Sequence, residues 1–307
     1  MRILCAWGRG DAEALRAPLA RHLPDADVRV WPDAPPVTDY AIVWQPPAEV
    51  FSGTRVTRAV FNYGAGVDGL VGLATLPAGI PIFRLEDAGM AAQMADYVLA
   101  AVLRAWRGLD VYAQQQRQRR WQRVPVLARA EFAVGLFGMG VLGGQVADAL
   151  LRAGFGVRGF ARRTQARAGV AMFAGDASLA EFLAGTRLLV CLVPLTPATR
   201  DRVDAAFLAG LPRGAHLVNV ARGELVVDAD LVAALDGGQL ASATLDVFRE
   251  EPLPASHPFW HHPRITVTPH VSAVTLAEPA IAQIAGRILA IERGDVAVGA
   301  IDPARGY

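Results

Sequence analysis

The stretch that decides the fold is Phe132-Ala133-Val134-Gly135-Leu136-Phe137-Gly138-Met139-Gly140-Val141-Leu142-Gly143. Its first half is an apolar run of strand character. Its second half is a G-x-G-x-x-G turn that opens a helical pattern, Val141–Ala153. Strand, glycine turn and helix in that order mark a dinucleotide-binding unit. Gly138 allows the tight turn, Gly140 lets the backbone approach a pyrophosphate, and Gly143 lets the helix pack closely on the strand. The phosphates then fall on the helix N-terminus, at Val141 and Leu142.

Strand-like runs continue beyond it at Val157–Phe160, Arg187–Val193, Ala215–Val220, Ser242–Asp246 and Ile265–Thr268, with helical patterns at Leu179–Ala184, Asp201–Ala209 and Asp228–Asp236. Six strands with five connections predict a Rossmann-type doubly wound parallel sheet. Upstream, Arg2–Trp7, Asp27–Val30, Asp39–Trp44, Val56–Phe61 and Pro81–Phe83 alternate with amphipathic pieces such as Asp11–His22, which predicts a smaller parallel α/β domain. A helical pattern from Met90 to Arg119, rich in Gln and Arg from Gln114 to Arg120, joins the two and is broken by Pro125. A last helix is expected over Ala277–Glu292.

Composition excludes several classes. The 307 residues exceed the roughly 250–300 at which single cores stop growing, so two domains are expected. Hydrophobic residues make up 53% and charged residues 19%, a packed globular profile. A net charge of +1 gives no general attraction to nucleic acid or to a membrane surface. No lysine occurs; all 30 basic residues are arginine, which excludes Schiff-base and Walker A chemistry. The two cysteines, Cys5 and Cys191, lie in apolar strand-like runs and read as buried thiols. No targeting segment is visible, and the apolar stretch Tyr97–Leu103 is far short of the ~20 residues that span a bilayer. A cytoplasmic protein without a membrane partner is expected.

The strand after the glycine turn ends in Phe160-Ala161-Arg162-Arg163-Thr164. An NAD-binding protein carries a carboxylate near this point, about 20 residues beyond the turn. Two guanidiniums there suit a 2′-phosphate instead. NADP(H) is the preferred cofactor on this reading, with NAD(H) still usable; the alternative is a merely solvated turn.

Three segments follow the last three strands: Val220-Ala221-Arg222-Gly223, Asp246 to Pro254, and Thr268-Pro269-His270. Open α/β sheets bind ligands at these strand ends. Reduction of a 2-oxo acid needs a carboxylate anchor, a polarised ketone and a proton donor. Arg222 suits the first two tasks and His270 the third, with Glu251 holding the imidazole and favouring its protonated form.

The chain resembles the D-isomer-specific 2-hydroxyacid dehydrogenase family over nearly its full length. The resemblance is carried by Gly64-Ala65-Gly66-Val67-Asp68, the glycine turn, Val193-Pro194-Leu195-Thr196, Asn219 to Gly223, Leu245 to Phe248, Glu251-Pro252-Leu253-Pro254 and Thr268-Pro269-His270. Within the family, Trp44-Gln45-Pro46-Pro47, Phe83 to Met90 and Asp302 to Tyr307 add to it.

It implies Arg222, Glu251 and His270 as the catalytic set, and Ala65 and Gly66 as backbone donors to the substrate carboxylate. It also implies that Asp246 meets the nicotinamide carboxamide and that Val193, Pro194, Val220, Ala221 and Ser272 line the cofactor. Domains are expected at 1–98 (substrate domain), 99–272 (dinucleotide-binding domain) and 273–307 (return to the substrate domain), the first being flavodoxin-like.

The implied activity is NADPH-dependent reduction of glyoxylate to glycolate and of hydroxypyruvate to D-glycerate, by a homodimer built on the cofactor domain. Gln114–Trp121 would be an arm across that dimer, with Trp121 either reaching the neighbour or forming a rim aromatic. Two other readings are a reductase of bulkier 2-oxo acids and a non-enzymatic NADPH sensor, since the family includes transcriptional corepressors. The retained Arg222, Glu251 and His270 disfavour the second.

Trp44 is either a core residue or a cap over the substrate, and Tyr63 is a candidate pocket residue. His257, His261 and His262 lie in a Pro-bounded loop without partner cysteines and read as a surface loop, not a metal site. His22 and His216 read as structural. The Arg117–Arg123 cluster, with Trp121 inside it, reads as a solvated face and not as a nucleic-acid surface.

Overall fold

The structure is a computed structural model that describes residues 1–8, 10–295 and 299–302; the terminal Pro303–Tyr307, part of one motif quoted above, lies outside the described residues. The chain forms two compact units, one of Met1–Met90 with the residues from Thr275 onward, the other of Ala91–Val274.

The first unit holds strands β1 (Arg2–Trp7), β2 (Asp27–Val30), β3 (Val37–Trp44), β4 (Arg55–Asn62) and β5 (Ile82–Arg84). They form one parallel sheet in the order β2-β1-β3-β4-β5, the flavodoxin-like order. Ile3, Leu4, Cys5 and Ala6 are all buried because a central parallel strand is covered on both faces, which is why its sequence is a continuous apolar run.

Helices α1 (Arg16–His22), α2 (Asp68–Val71) and the late helix α9 (Ala277–Glu292) belong to this unit; α3 (Met90–Trp106) begins at its boundary. On α9, Ile281, Ile284 and Ile288 are buried at helical spacing. Tyr40 Oη donates to Glu292 Oε1 at 2.7 Å, and Glu278 accepts from both Arg21 and His22.

The second unit contains α4 (Leu109–Arg117), β6 (Val134–Phe137), α5 (Val141–Arg152), β7 (Val157–Ala161), β8 (Val170–Ala174), α6 (Leu179–Ala184), β9 (Leu188–Cys191), α7 (Ala205–Ala209), β10 (Ala215–Asn219), α8 (Asp228–Asp236), β11 (Leu240–Leu245) and β12 (Ile265–Val267). Its seven parallel strands run β12-β11-β10-β9-β6-β7-β8, the Rossmann order with one further strand at the β12 edge. The expectation of six strands is therefore corrected to seven. The missing strand, β8, lies at the other edge beside β7, and its residues are only partly buried, so its sequence lacks the apolar weight of the central strands.

The long helix expected from Met90 to Arg119 is two helices. Gly108 takes a left-handed conformation (φ 63°) between α3 and α4, which ends one helix and starts the next. Asp201–Ala209 is helical only from Ala205, because Asp204 caps α7 through a 2.8 Å bond to the Phe207 N–H and Val203 bridges to Val226 instead. Cys5 and Cys191 are both fully buried, and burial pushes each thiol up to about 12. Among the described residues no helix is long and apolar enough to cross a membrane.

His216 sits between Phe132, at 5.9 Å between ring centroids, and Ser242 Oγ, 2.8 Å from its Nδ1. Burial lowers its pKa to about 4, against a weaker opposing pull from Asp110. A histidine whose folded pKa is depressed binds fewer protons than in the unfolded chain between the two values, so stability is full above pH 6.5 and falls toward pH 4. Denaturant titrations at pH 7 and pH 5 are expected to show a loss of about 2 kcal/mol attributable to this residue, which His216→Gln removes.

Candidate active site

The glycine turn follows β6 and leads into α5. Gly138 has φ 124°, and a Cβ there would lie 2.6 Å from the Leu192 carbonyl carbon, so only glycine makes this turn. A Cβ on Gly143 would fall 2.1 Å from Gly138 O, whereas one on Gly140 meets nothing within 4 Å. The protein thus fills the space beside Gly138 and Gly143 and leaves the space beside Gly140 open, as a pyrophosphate against the α5 N-terminus requires.

Val141 is exposed and Leu142 half-buried, and Arg162 and Arg163 are both exposed just beyond β7. Two bonds brace the region from outside the motif: Gln165 Nε2 donates to Met139 O at 3.1 Å, and Arg167 Nη2 meets Asp148 Oδ2 at 2.6 Å. No acidic residue stands between Phe160 and Asp176, so nothing near the arginine pair in sequence repels a 2′-phosphate. These residues fit a phosphorylated dinucleotide.

Arg222, Glu251 and His270 follow β10, β11 and β12, which are neighbours in the sheet. Residues separated by up to 48 positions therefore share one carboxyl-terminal edge. His270 Nδ1 and Glu251 Oε2 are 2.8 Å apart, and Glu251 Oε1 accepts the Phe248 N–H at 2.9 Å. Burial raises the Glu251 carboxyl, but the bonds from His270 and Phe248 and the charges of His270 and Arg222 outweigh it and leave the pKa below the ordinary value. The carboxylate therefore stays charged at neutral pH. Asn219 Nδ2 donates to Arg222 O at 2.8 Å, fixing the turn that carries the guanidinium.

Asp246 is wholly buried. Its Oδ1 accepts from Thr268 Oγ1 at 2.6 Å and the Val271 N–H at 2.9 Å, its Oδ2 accepts the Ser272 N–H at 2.7 Å, and its carbonyl accepts the His270 N–H at 2.8 Å. Tyr97 Oη lies 2.6 Å from Thr268 Oγ1. His270 itself has φ 55°, a conformation costing a non-glycine residue about 1–3 kcal/mol, and this set of bonds holds it there. Asp246, expected from the resemblance to meet the cofactor, thus also grips the His270 turn, a role that no sequence motif signals. Ser272 is buried, Val220 buried, Val193 and Ala221 half-buried and Pro194 exposed.

In the first unit, Asn62 Nδ2 donates to Gly64 O at 3.0 Å and to Gly66 O at 2.8 Å, and Arg84 Nη1 to Ala65 O at 3.3 Å. With these carbonyls held, the N–H groups of Ala65 and Gly66 have no acceptor among the described residues. Trp44 packs closely on the loop: a Cβ on Gly64 would be 2.0 Å from its ring. Tyr63 is buried and packs on Trp7 at 5.2 Å between centroids.

His257 and His262 face Asp228 and Asp236 respectively, at 3.6 Å and 3.3 Å, and among the described residues no three potential ligands converge on a metal position. Trp121 is fully exposed beyond the end of α4.

A family model for the NAD-binding domain of D-isomer-specific 2-hydroxyacid dehydrogenases matches residues 99–272. The chain belongs to the D-isomer-specific 2-hydroxyacid dehydrogenase family.

It is 46% identical to glyoxylate/hydroxypyruvate reductase A of Yersinia enterocolitica, with 94% of each chain covered, and 46% identical to that of Serratia proteamaculans, with 97% of each covered. Among solved structures it is similar to a family member from Xanthobacter autotrophicus in complex with NADPH and MES (TM-score 0.94, 40% identity, 100% of this chain and 99% of that one). It is also similar to the NADPH-dependent glyoxylate/hydroxypyruvate reductase of Sinorhizobium meliloti in complex with NADP and sulfate (TM-score 0.92, 32% identity, the same coverage).

The open space at Gly140 and the filled space at Gly143 predict opposite failures. Gly140→Ala should leave urea unfolding within about 1 kcal/mol of wild type while weakening dinucleotide binding at least about tenfold. Gly143→Ala should destabilise the fold itself by about 1–3 kcal/mol, through the backbone clash. Unfolding curves paired with fluorescence titration separate the two.

Proposed function

We propose that this chain is an NADPH-dependent reductase of small 2-oxo acids, turning glyoxylate into glycolate and hydroxypyruvate into D-glycerate. The observation that carries the reading is the His270–Glu251 pair, at 2.8 Å, on neighbouring strand ends of the sheet that bears the glycine turn and Arg222. The second unit is the dinucleotide-binding domain and the first the substrate domain. The named relatives support the substrate class, and the arginine pair supports the cofactor.

When bound, NADPH supplies the hydride; every other task falls to side chains and backbone groups. Arg222 pairs with the substrate carboxylate and polarises the ketone oxygen. His270, protonated, gives its proton to the oxygen that becomes the hydroxyl. Glu251 keeps the imidazole oriented and stabilises its charged form. The N–H groups of Ala65 and Gly66 receive a carboxylate, and Trp44 and Tyr63 keep the surroundings of that loop apolar. Gly138, Gly140, Val141, Leu142 and Gly143 would hold the pyrophosphate, Arg162 and Arg163 the 2′-phosphate, and Val193, Pro194, Val220, Ala221, Asp246 and Ser272 the rest of the dinucleotide. The enzyme is a cytoplasmic homodimer with no nucleic-acid partner. Exposed Leu109, Val111, Trp121, Val126 and Leu127 in the second unit support self-association.

Absorbance at the reduced-nicotinamide band, followed with each oxo acid and each cofactor, tests the whole reading. Fast decay with NADPH and slow decay with NADH is the expected result; no decay from protein that binds NADPH would overturn it. His270→Gln should lower kcat by about 10²–10⁴-fold with NADPH affinity retained. Arg222→Ala should raise KM and lower kcat together. Arg162→Ala with Arg163→Ala should erase the preference for NADPH over NADH; an unchanged preference would remove the arginines from the argument.

A further inference from the structure

We infer that Arg249 is a positioning residue for proton transfer, tying the loop that carries Glu251 to the loop that carries Arg222. The inference rests on the proposed roles of His270 and Glu251. The segment from Asp246 to Pro254 contains neither helix nor strand, so side-chain and backbone anchors must set its path.

One anchor is steric. Gly223, directly after Arg222, packs so closely that a Cβ there would lie 1.9 Å from the Phe248 carbonyl carbon and 2.3 Å from the Arg249 nitrogen. The other is the Arg249 guanidinium. Its Nε donates to Val226 O at 3.1 Å and lies 3.6 Å from Asp228 Oδ1, while Nη2 meets the Val226 carbonyl and the Asp201 carboxylate.

Every one of these partners belongs to the Arg222 side. Val226 directly follows the short helical turn Gly223–Leu225, and Asp228 opens α8 just beyond it. Asp201, at φ 56°, donates its N–H to Glu224 O at 2.8 Å, so it is fastened to the same segment. His257 lies on the far side of Asp228, at 3.6 Å. A planar fork satisfies a carbonyl and two carboxylates at once, which a single ammonium cannot do with the same geometry.

The consequence reaches Glu251 through the chain. Its Oε1 depends on the Phe248 N–H and its Oε2 meets His270 Nδ1, so the carboxylate sits correctly only while residues 248–251 keep their path. A displacement of about 1 Å at a reacting group can cost about 10²-fold in rate.

The test compares Arg249→Met, Arg249→Lys, Glu251→Gln and the double variant Arg249→Met with Glu251→Gln, reading kcat, KM, NADPH affinity and the pH profile of kcat/KM. Arg222, whose charge acts on Glu251, Asp246, whose carbonyl accepts the His270 N–H, and Tyr97, which meets Thr268, stay unchanged. Arg249→Met should lower kcat about tenfold or more, keep NADPH affinity within about twofold, and move the basic limb to lower pH by about half a unit or more, in the direction set by Glu251→Gln. Arg249→Lys should restore part of the rate. The double variant should be no worse than Glu251→Gln alone, because both changes remove the same function.

A basic limb that moves for Glu251→Gln but not for Arg249→Met, or losses that multiply in the double variant, would overturn the inference. An unmoved limb in Glu251→Gln itself would overturn the reading of Glu251, and this inference with it. Should Arg249→Met not fold, Asp201→Asn, which keeps a residue tolerant of that backbone conformation, takes its place: a smaller shift in the same direction supports the inference and none overturns it.

Discussion

The buried Asp246 carboxylate is the constraint on which the catalytic edge depends. Buried polar oxygens must be met by donors or their burial costs free energy. Here the donors are the Thr268 hydroxyl and the N–H groups of Val271 and Ser272, so paying that requirement fixes the turn after β12. His270 lies inside this turn, in a left-handed conformation that a lone residue of its type would leave. Tyr97, from α3, adds a hydroxyl on the far side of Thr268 and extends the chain of bonds into a helix whose inner face belongs to the core.

Sheet topology does the rest. β10, β11 and β12 are consecutive in the sheet, so three loops separated in sequence emerge side by side. Parallel strands set this arrangement because all their carboxyl ends point one way. The glycine turn after β6 opens at the same edge, next to β9, where the strand order reverses. The glycine turn after β6 and the turn that carries His270 after β12, four strands away, are thus products of a single architecture. Their fine placement depends on polar ties that the sheet does not supply.

Much of this was legible in the sequence, for physical reasons. Central strands of a two-faced parallel sheet are apolar throughout, and β1, β2 and the helix Ala277–Glu292 stand where periodicity and turn residues put them. The glycine turn was legible because each glycine answers a separate steric demand. β8 was not, since an edge strand is only partly buried; Gly169 and Gly175 on either side, both at positive φ, were its remaining signal. Gly108 likewise marked the break between α3 and α4. Ties such as Arg249 to Asp201, Gln165 to Met139 and Asn62 to Gly64 leave no periodic trace, because each joins residues whose nearness exists only after folding.

Two histidines of the second unit, His216 and His270, show how burial is apportioned there. His216 is packed beside Phe132 with a hydroxyl for a neighbour, and desolvation keeps it neutral down to about 4. His270 instead keeps 40% of its side chain exposed and faces a carboxylate that stays charged. The dry packing that holds His216 as a structural ring is withheld from His270. The buried part of the design is its support, Asp246 and Ser272, which carry no reacting proton. Exposure of His270 and burial of its supports fit the proposed roles by one rule: desolvation penalises a change of charge but strengthens a fixed hydrogen bond.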